Sequence, residues 1–546
     1  MQLDVAHVPV QKAAARIGDD VKRIDSSAIV SLFALVTSAL LVLHFGSFID
    51  RATPALVDDH DIINPLKASA SAPLADVWAD LKQTDEYQEL AITGRASRFR
   101  PAHYPLKSLQ IYLFGDNIRL WYIAIFAMYV ATATALFALL FHSLGLTSAV
   151  VFGVLYFAHP AWSDIFPRLG PVEIDCIFVG TILIWLLWRA IVDAKRLDMV
   201  LAFPAALVFG ATKEPNSVLL IALGALVMVC GLILSNRRMA LGGGVATVAG
   251  ALVLAVFLKL TSTVGSGIVS LSGPTDSYFF HSVRNEAREW MLLTRDDNTG
   301  WVVFALLAAL ACAAIAKASG LIRIAWLELM ALLLAVVSIE AMRFTLFYLT
   351  YAVSNGGGLD PISMRYGSPM FVVTSIVAAI VFGRLIVNAT PKVSIAVNAL
   401  AMACVLAMLV VNEGVLTPRT LTSREQWRTF NAEAETAILD TANWLTKARE
   451  QGISPILLVT GPSLEWEPKL SLMMFLRHRM PDTPVYFDPK EQSINHKFYV
   501  PFSARYGGQP LPETVVLTPE NCIEVHVDVE RFKDSRCTTL SIVKPN

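Results

Sequence analysis

The stretch AIVSLFALVTSALLVLHFGSFI, Ala28–Ile49, decides the fold. It carries no Asp, Glu, Lys or Arg and, as a helix, is long enough to cross about 30 Å of hydrocarbon. The residues before it, Met1–Ser27, are polar and include Lys12, Arg16, Lys22 and Arg23. A cleavable signal would set a short basic tip directly against an apolar core of about 7–15 residues. The run at Ala28 is longer than that and reads as a retained first span.

Ten further apolar runs follow, at 119–141, 146–160, 172–192, 198–212, 215–235, 240–260, 300–316, 322–343, 369–388 and 393–413. The expected fold is a polytopic α-helical membrane protein of eleven spans with a small C-terminal α/β soluble domain. Composition agrees: 55% hydrophobic, 16% charged, mean hydropathy +0.55, where soluble domains carry about a quarter charged residues. A net charge of −1 gives no basic surface for nucleic acid.

Lys and Arg stay on the cytoplasmic side of short loops. With the N-terminus inside, the inner loops hold Arg189, Lys195 and Arg196, then Arg237 and Arg238, then Lys317 and Arg323, then Arg384 and Lys392. This predicts a cytoplasmic segment 1–27, a membrane module 28–415 and a periplasmic or extracellular domain 416–546. The first outer loop, 50–118, has Trp78, Tyr87 and Tyr112 in stretches suited to lying along the interface. In the tail, Arg424–Glu450 reads as an amphipathic helix, followed by strand-like runs at Ile456–Thr460, Pro484–Phe487, Thr514–Leu517, Ile523–Val529 and Thr538–Val543. Cys522 and Cys537 are either a disulfide, which would contribute roughly 3 kcal/mol, or two buried thiols.

Several clusters have chemical potential. Asp58-Asp59-His60-Asp61 lies just beyond the first span. It is a solvated acidic interface, a divalent-cation site, or a general base with orienting neighbours. His60 is a metal ligand or a neutral loop residue. Arg95, Arg98 and Arg100 with His103 and Tyr104 form an anion-recognition patch or a contact to acidic lipid headgroups. Lys213-Glu214, between two spans, is a salt-bridged turn or a functional ionisable pair. Asp164, Arg168, Glu173 and Asp175 belong to one outer connection and can face the same cavity, and His281 and Arg284 lie in the second large outer loop. Arg365, with Tyr366 beside it, precedes the tenth span, where a guanidinium can hold phosphate.

This layout resembles the GT-C superfamily of membrane glycosyltransferases, which includes protein O-mannosyltransferases, the aminoarabinose transferase of lipid A and actinobacterial arabinofuranosyltransferases. The resemblance rests on Asp58 and Asp59, the stretch Arg98-Phe99-Arg100-Pro101, Lys213-Glu214, Arg365-Tyr366 and the outer tail. It implies an inverting enzyme that moves a sugar from a polyprenyl-phosphate donor to a hydroxyl of a glycan, protein or lipid. Asp58 or Asp59 would be the base, and Arg365, Lys213, Arg98 and Arg100 would hold the donor phosphate. Tyr366, His103, Tyr104, Glu214, Asp164, His281 and Arg284 would line the cavity. No cofactor is certain; a divalent cation on Asp58, Asp59, His60 and Asp61 stays open. The alternatives are a lipid or sugar transporter or flippase, an O-antigen polymerase or ligase, and a non-catalytic scaffold. Transporters often show repeated halves, and none is visible here.

Overall fold

Backbone groups in hydrocarbon must bond to one another, so an apolar run with no polar partners closes into a helix. The computed structural model describes residues 26–51, 54–56, 59–66, 69–81, 100–159, 161–170, 172–260, 299–343, 368–391, 394–395, 397–399, 418–460, 466–487, 509–512, 514–527 and 536–542. Ala28–Ile49 becomes α1, Ser26–Arg51. The first loop then gives the short α2, His60–Ile63, followed by α3, Leu74–Leu81, and α4, His103–Phe114. These two longer helices contain Trp78 and Tyr112, the aromatics expected at the interface. Tyr87 lies outside the described residues.

The bundle continues with α5, Ile118–Leu144, α6, Leu146–Phe157, the single turn α7, Trp162–Ile165, and α8, Glu173–Val192. Next come α9, Arg196–Thr212, α10, Glu214–Ile233, and α11, Arg237–Leu260. After these stand α12, Thr299–Ala318, α13, Trp326–Arg343, and α14, Ser368–Asn388. Among the described residues six helices, α1, α5, α8, α10, α11 and α14, are long and apolar enough to cross a membrane. The chain is a polytopic membrane protein. The run at 393–413 lies largely outside the described residues.

Helices α10 and α11 approach most closely, because glycines replace side chains at their contact. A Cβ on Gly243 would collide with the Met228 backbone nitrogen, and one on Gly231 with that of Ala240. At the end of the bundle away from the first loop, Arg189 Nε meets Asp198 Oδ2 at 2.9 Å, and Arg384 contacts Glu328. Two of the basic residues of the short loops are therefore paired as well as charged.

The tail begins with α15, Pro418–Glu450, six residues earlier than the sequence pattern suggests. It buries Trp427, Phe430, Ala437 and Leu445. Strand β1, Ile456–Thr460, follows, then α16, Trp466–Arg479, and strands β2, Val485–Phe487, β3, Gln509–Pro510, β4, Cys522–Val527, and β5, Thr538–Ile542. All pairings are parallel, in the order β3-β2-β1-β4-β5. The run Thr514–Leu517 is not a strand; the edge place beside β2 belongs to Gln509–Pro510. Cys522 and Cys537 form a disulfide. One apolar cluster runs from Phe45, Trp121 and Phe166 in the bundle through Trp427 and Phe430 to Val459 and Val525 in the sheet.

Candidate active site

Charged side chains gather where α1, α4, α8, α9 and α10 reach the first-loop end of the bundle. Asp59, just before α2, is wholly buried. Its Oδ2 accepts from the Ala55 amide at 2.7 Å, and its Oδ1 from the amides of Leu169 and Gly170 at 2.6 and 2.8 Å. The carboxylate thus ties the first loop to the 162–170 connection. Three N–H groups pointing at a carboxylate make an anion cradle, not a cation cage, so the donors at Asp59 do not fit a divalent metal. Asp58 and the side chains of His60 and Asp61 lie outside the described residues. Among the described residues no group of three or more His, Cys, Asp or Glu is arranged to hold a metal.

Lys213 and Glu214 do not pair with each other. Adjacent residues at a helix start point apart. Lys213 Nζ instead bonds Glu173 Oε1, and Glu214 receives Arg100 Nε on both oxygens, at 3.0 and 3.1 Å. These links pin the start of α8 and the segment before α4 to the α9–α10 junction. The pairs are buried apart from a partly exposed Arg100. Asp164 and Arg168 form a further wholly buried pair, in contact one helical turn apart. The Arg168 guanidinium lies 4.7 Å from the centre of the Trp427 ring, so the tail helix covers this pair. Asn431 Nδ2 adds a hydrogen bond to the Pro167 carbonyl at 3.2 Å, and Arg424 Nη1 one to the His44 carbonyl at 2.9 Å.

Helix α4 lays its polar face into this layer. Lys107 Nζ donates to the Leu169 carbonyl at 3.3 Å and sits 5.3 Å from the Trp121 ring centre. Gln110 Nε2 donates to Asp175 Oδ1 at 3.1 Å. His103 Nδ1 faces Asp175 Oδ2 at 3.8 Å. Burial, with Lys107, Arg100 and Lys213 nearby, holds the imidazole well below its usual range. It is therefore neutral at pH 7, and the 3.8 Å approach is neither an ion pair nor a hydrogen bond. Tyr104 packs beside His103, ring centres 5.7 Å apart.

Of the residues singled out from sequence, the structure brings together Asp59, Arg100, His103, Tyr104, Asp164, Lys213 and Glu214. Asp58, Arg98, His281, Arg284, Arg365 and Tyr366 lie outside the described residues. Lys107 and Gln110 escaped notice, and only the polar face of an interfacial helix could have pointed to them. A separate polar set lies in the tail sheet, at the carboxyl ends of β1 and β4. There Thr460 Oγ1 meets Glu524 Oε1 at 2.5 Å and His526 Nδ1 at 3.0 Å. Mid-way along α1 and α5, an apolar groove of roughly 620 Å³ is lined by Leu41, Val42, Phe126 and Val130, with Ser38 and Thr134 its only hydroxyls.

No family model matches the chain, and no curated protein does. Among solved structures the chain is similar to the crystal structure of ArnT from Cupriavidus metallidurans in the apo state. The two are 15% identical over 91% of this chain and 86% of that one, with a TM-score of 0.38. The chain is a polytopic membrane protein with a buried layer of charge at the first-loop end of its bundle.

Proposed function

We propose that the chain is an inverting glycosyltransferase that moves a sugar from a polyprenyl phosphate to an acceptor hydroxyl at the outer face of the membrane. One observation carries the reading. The cations Arg100, Arg168 and Lys213 are paired with carboxylates, and Lys107 is held by the Leu169 carbonyl, in a buried layer at the first-loop end of the bundle. A scaffold does not require so costly an arrangement, and near-membrane charge marks function by default. A lipid-linked phosphate brings its anionic group to this depth and its chain to apolar surface such as the groove between α1 and α5.

The leaving phosphate gathers charge as the glycosidic bond breaks, and fixed cations favour that state over the ground state. Lys213 and Arg100 are assigned this role, and the resemblance adds Arg98 and Arg365, which lie outside the described residues. The acceptor hydroxyl needs a proton acceptor; the first-loop nominees are Asp58 and Asp59, and Asp59 is already engaged by three amides. The acceptor is a glycan, protein or lipid, and no metal step is invoked.

The test is incubation of the full chain in lipid vesicles with a panel of polyprenyl-phosphate sugars, following release of polyprenyl phosphate. Consumption of at least one donor is expected, reduced at least tenfold in Lys213→Met. Movement of a labelled lipid across the vesicle without consumption would make the chain a flippase instead.

A further inference from the structure

His103 and Asp175 face each other in the buried layer without closing a hydrogen bond. Their facing atoms, Nδ1 and Oδ2, are buried and make no hydrogen bond, and Gln110 Oε1, on the amide that holds the same carboxylate, makes none either. Buried polar atoms almost always find partners. A structural His–Asp contact would close to hydrogen-bond length, and this one stands at 3.8 Å. An oxygen about 2.8 Å from each atom would subtend an angle of about 85°, within reach of a hydroxyl or a water. A divalent cation is a poor occupant, because Arg100, Lys107 and Lys213 all act on this imidazole with positive charge.

We infer that His103 and Asp175 bind the acceptor hydroxyl and together receive its proton, becoming competent to do so when the donor phosphate settles among the neighbouring cations. The inference rests on the glycosyltransferase reading. In the step, the acceptor O–H bond breaks and its proton passes to the His103–Asp175 pair. The oxygen's electron pair forms the bond to the anomeric carbon, and the bond from that carbon to the phosphate oxygen breaks, leaving its electrons on the phosphate. Asp175 is fixed by Gln110, so the pair has one held member and one that responds to charge.

The charged groups acting on the imidazole are Arg100 from the approach to α4, Lys107 one turn along it and Lys213 from the α9–α10 junction, itself paired with Glu173, while Asp175 from the start of α8 faces it. Burial first, and the three cations after it, suppress protonation of His103. A phosphate among them offsets their field, and the imidazole gains basicity while the leaving group is in place. The base is then active only beside a bound donor, which limits unproductive chemistry.

The experiment uses the full chain in lipid vesicles, labelled with ¹⁵N-histidine, and polyprenyl monophosphate without sugar as probe. The His103 signal is assigned by its loss in His103→Gln, and binding is followed independently by ³¹P resonance. Addition of the lipid phosphate should move the His103 titration upward by about one pH unit. His103→Gln should slow donor consumption about a hundredfold or more with little change in donor KM. Binding with no movement of the titration overturns the inference alone. Absence of binding overturns both it and the donor class. Loss of transfer in Asp58→Asn with transfer intact in His103→Gln would return the base to the first loop.

Discussion

The amide of Leu169 donates to Asp59 Oδ1 at 2.6 Å, joining two segments 110 positions apart in the chain. The two elements that such a site needs, the loop after the first span and the connection before α8, thereby share one carboxylate. Removing it leaves three amide donors without their acceptor, and a buried orphan donor costs about 1–3 kcal/mol. Asp59→Ala should therefore destabilise the chain by about 3 kcal/mol or more, seen as a lower Tm in detergent. Asp59→Asn retains one acceptor oxygen and should lose about half as much. Equal Tm values for both variants and the parent would remove the anchoring role.

Lys213 and Glu173 separate stability from function. Deleting one member of a buried pair strands the other, at about 3–5 kcal/mol. Lys213→Met should unfold early, and adding Glu173→Leu should recover much of the Tm. Donor consumption should stay low in the double variant if Lys213 is the cation that holds the donor phosphate, as proposed. Recovery of both properties together would make the pair purely structural.

His103 predicts a pH dependence of stability with a definite sign. The unfolded imidazole binds a proton near pH 6.5, while the folded one stays neutral well below that. The unfolded state therefore holds more protons as pH falls below 6.5, and stability declines toward acid until the folded pKa is reached. His103→Gln should flatten this part of the Tm–pH curve and leave the region above pH 7 parallel to the parent. An unchanged acid limb would show the imidazole protonated in the folded protein.

Gly243 admits no larger side chain, because the Met228 backbone lies where a Cβ would stand. Gly243→Leu should push α10 and α11 apart at a cost of about 2 kcal/mol or more. Size-exclusion profiles of the detergent-solubilised variant should show aggregation, whereas Gly244→Leu, whose Cβ position meets only the end of Met228, should behave like the parent.

The Cys522–Cys537 bond closes a loop of 15 positions linking β4 to β5. Replacing both cysteines with serine should cost about 3 kcal/mol in the tail sheet, measured as the protease concentration needed to cut it. Alkylation of all six cysteines of the denatured parent without reductant would refute the bond.

The membrane part was legible because composition dictates it: Ala28–Ile49 lies within α1 and 172–192 nearly coincides with α8. Strand β1 was read to the residue because its apolar run is bounded by turn residues. The edge strand was not, since Gln509–Pro510 owes its place to β2 and not to its own propensity. The site was legible as a set of residue types, not as partners. Lys213 and Glu214 stand side by side in the chain yet serve Glu173 and Arg100, 40 and 114 positions away. Sequence spacing carries no information about pairings of that range.

Trp427 lies beyond α14 and covers the Arg168–Asp164 pair. The tail helix folds back onto the bundle to cover this pair, and the cover comes from the domain that follows the membrane helices. A chain cut before α15 would leave the Arg168 guanidinium without its aromatic cover.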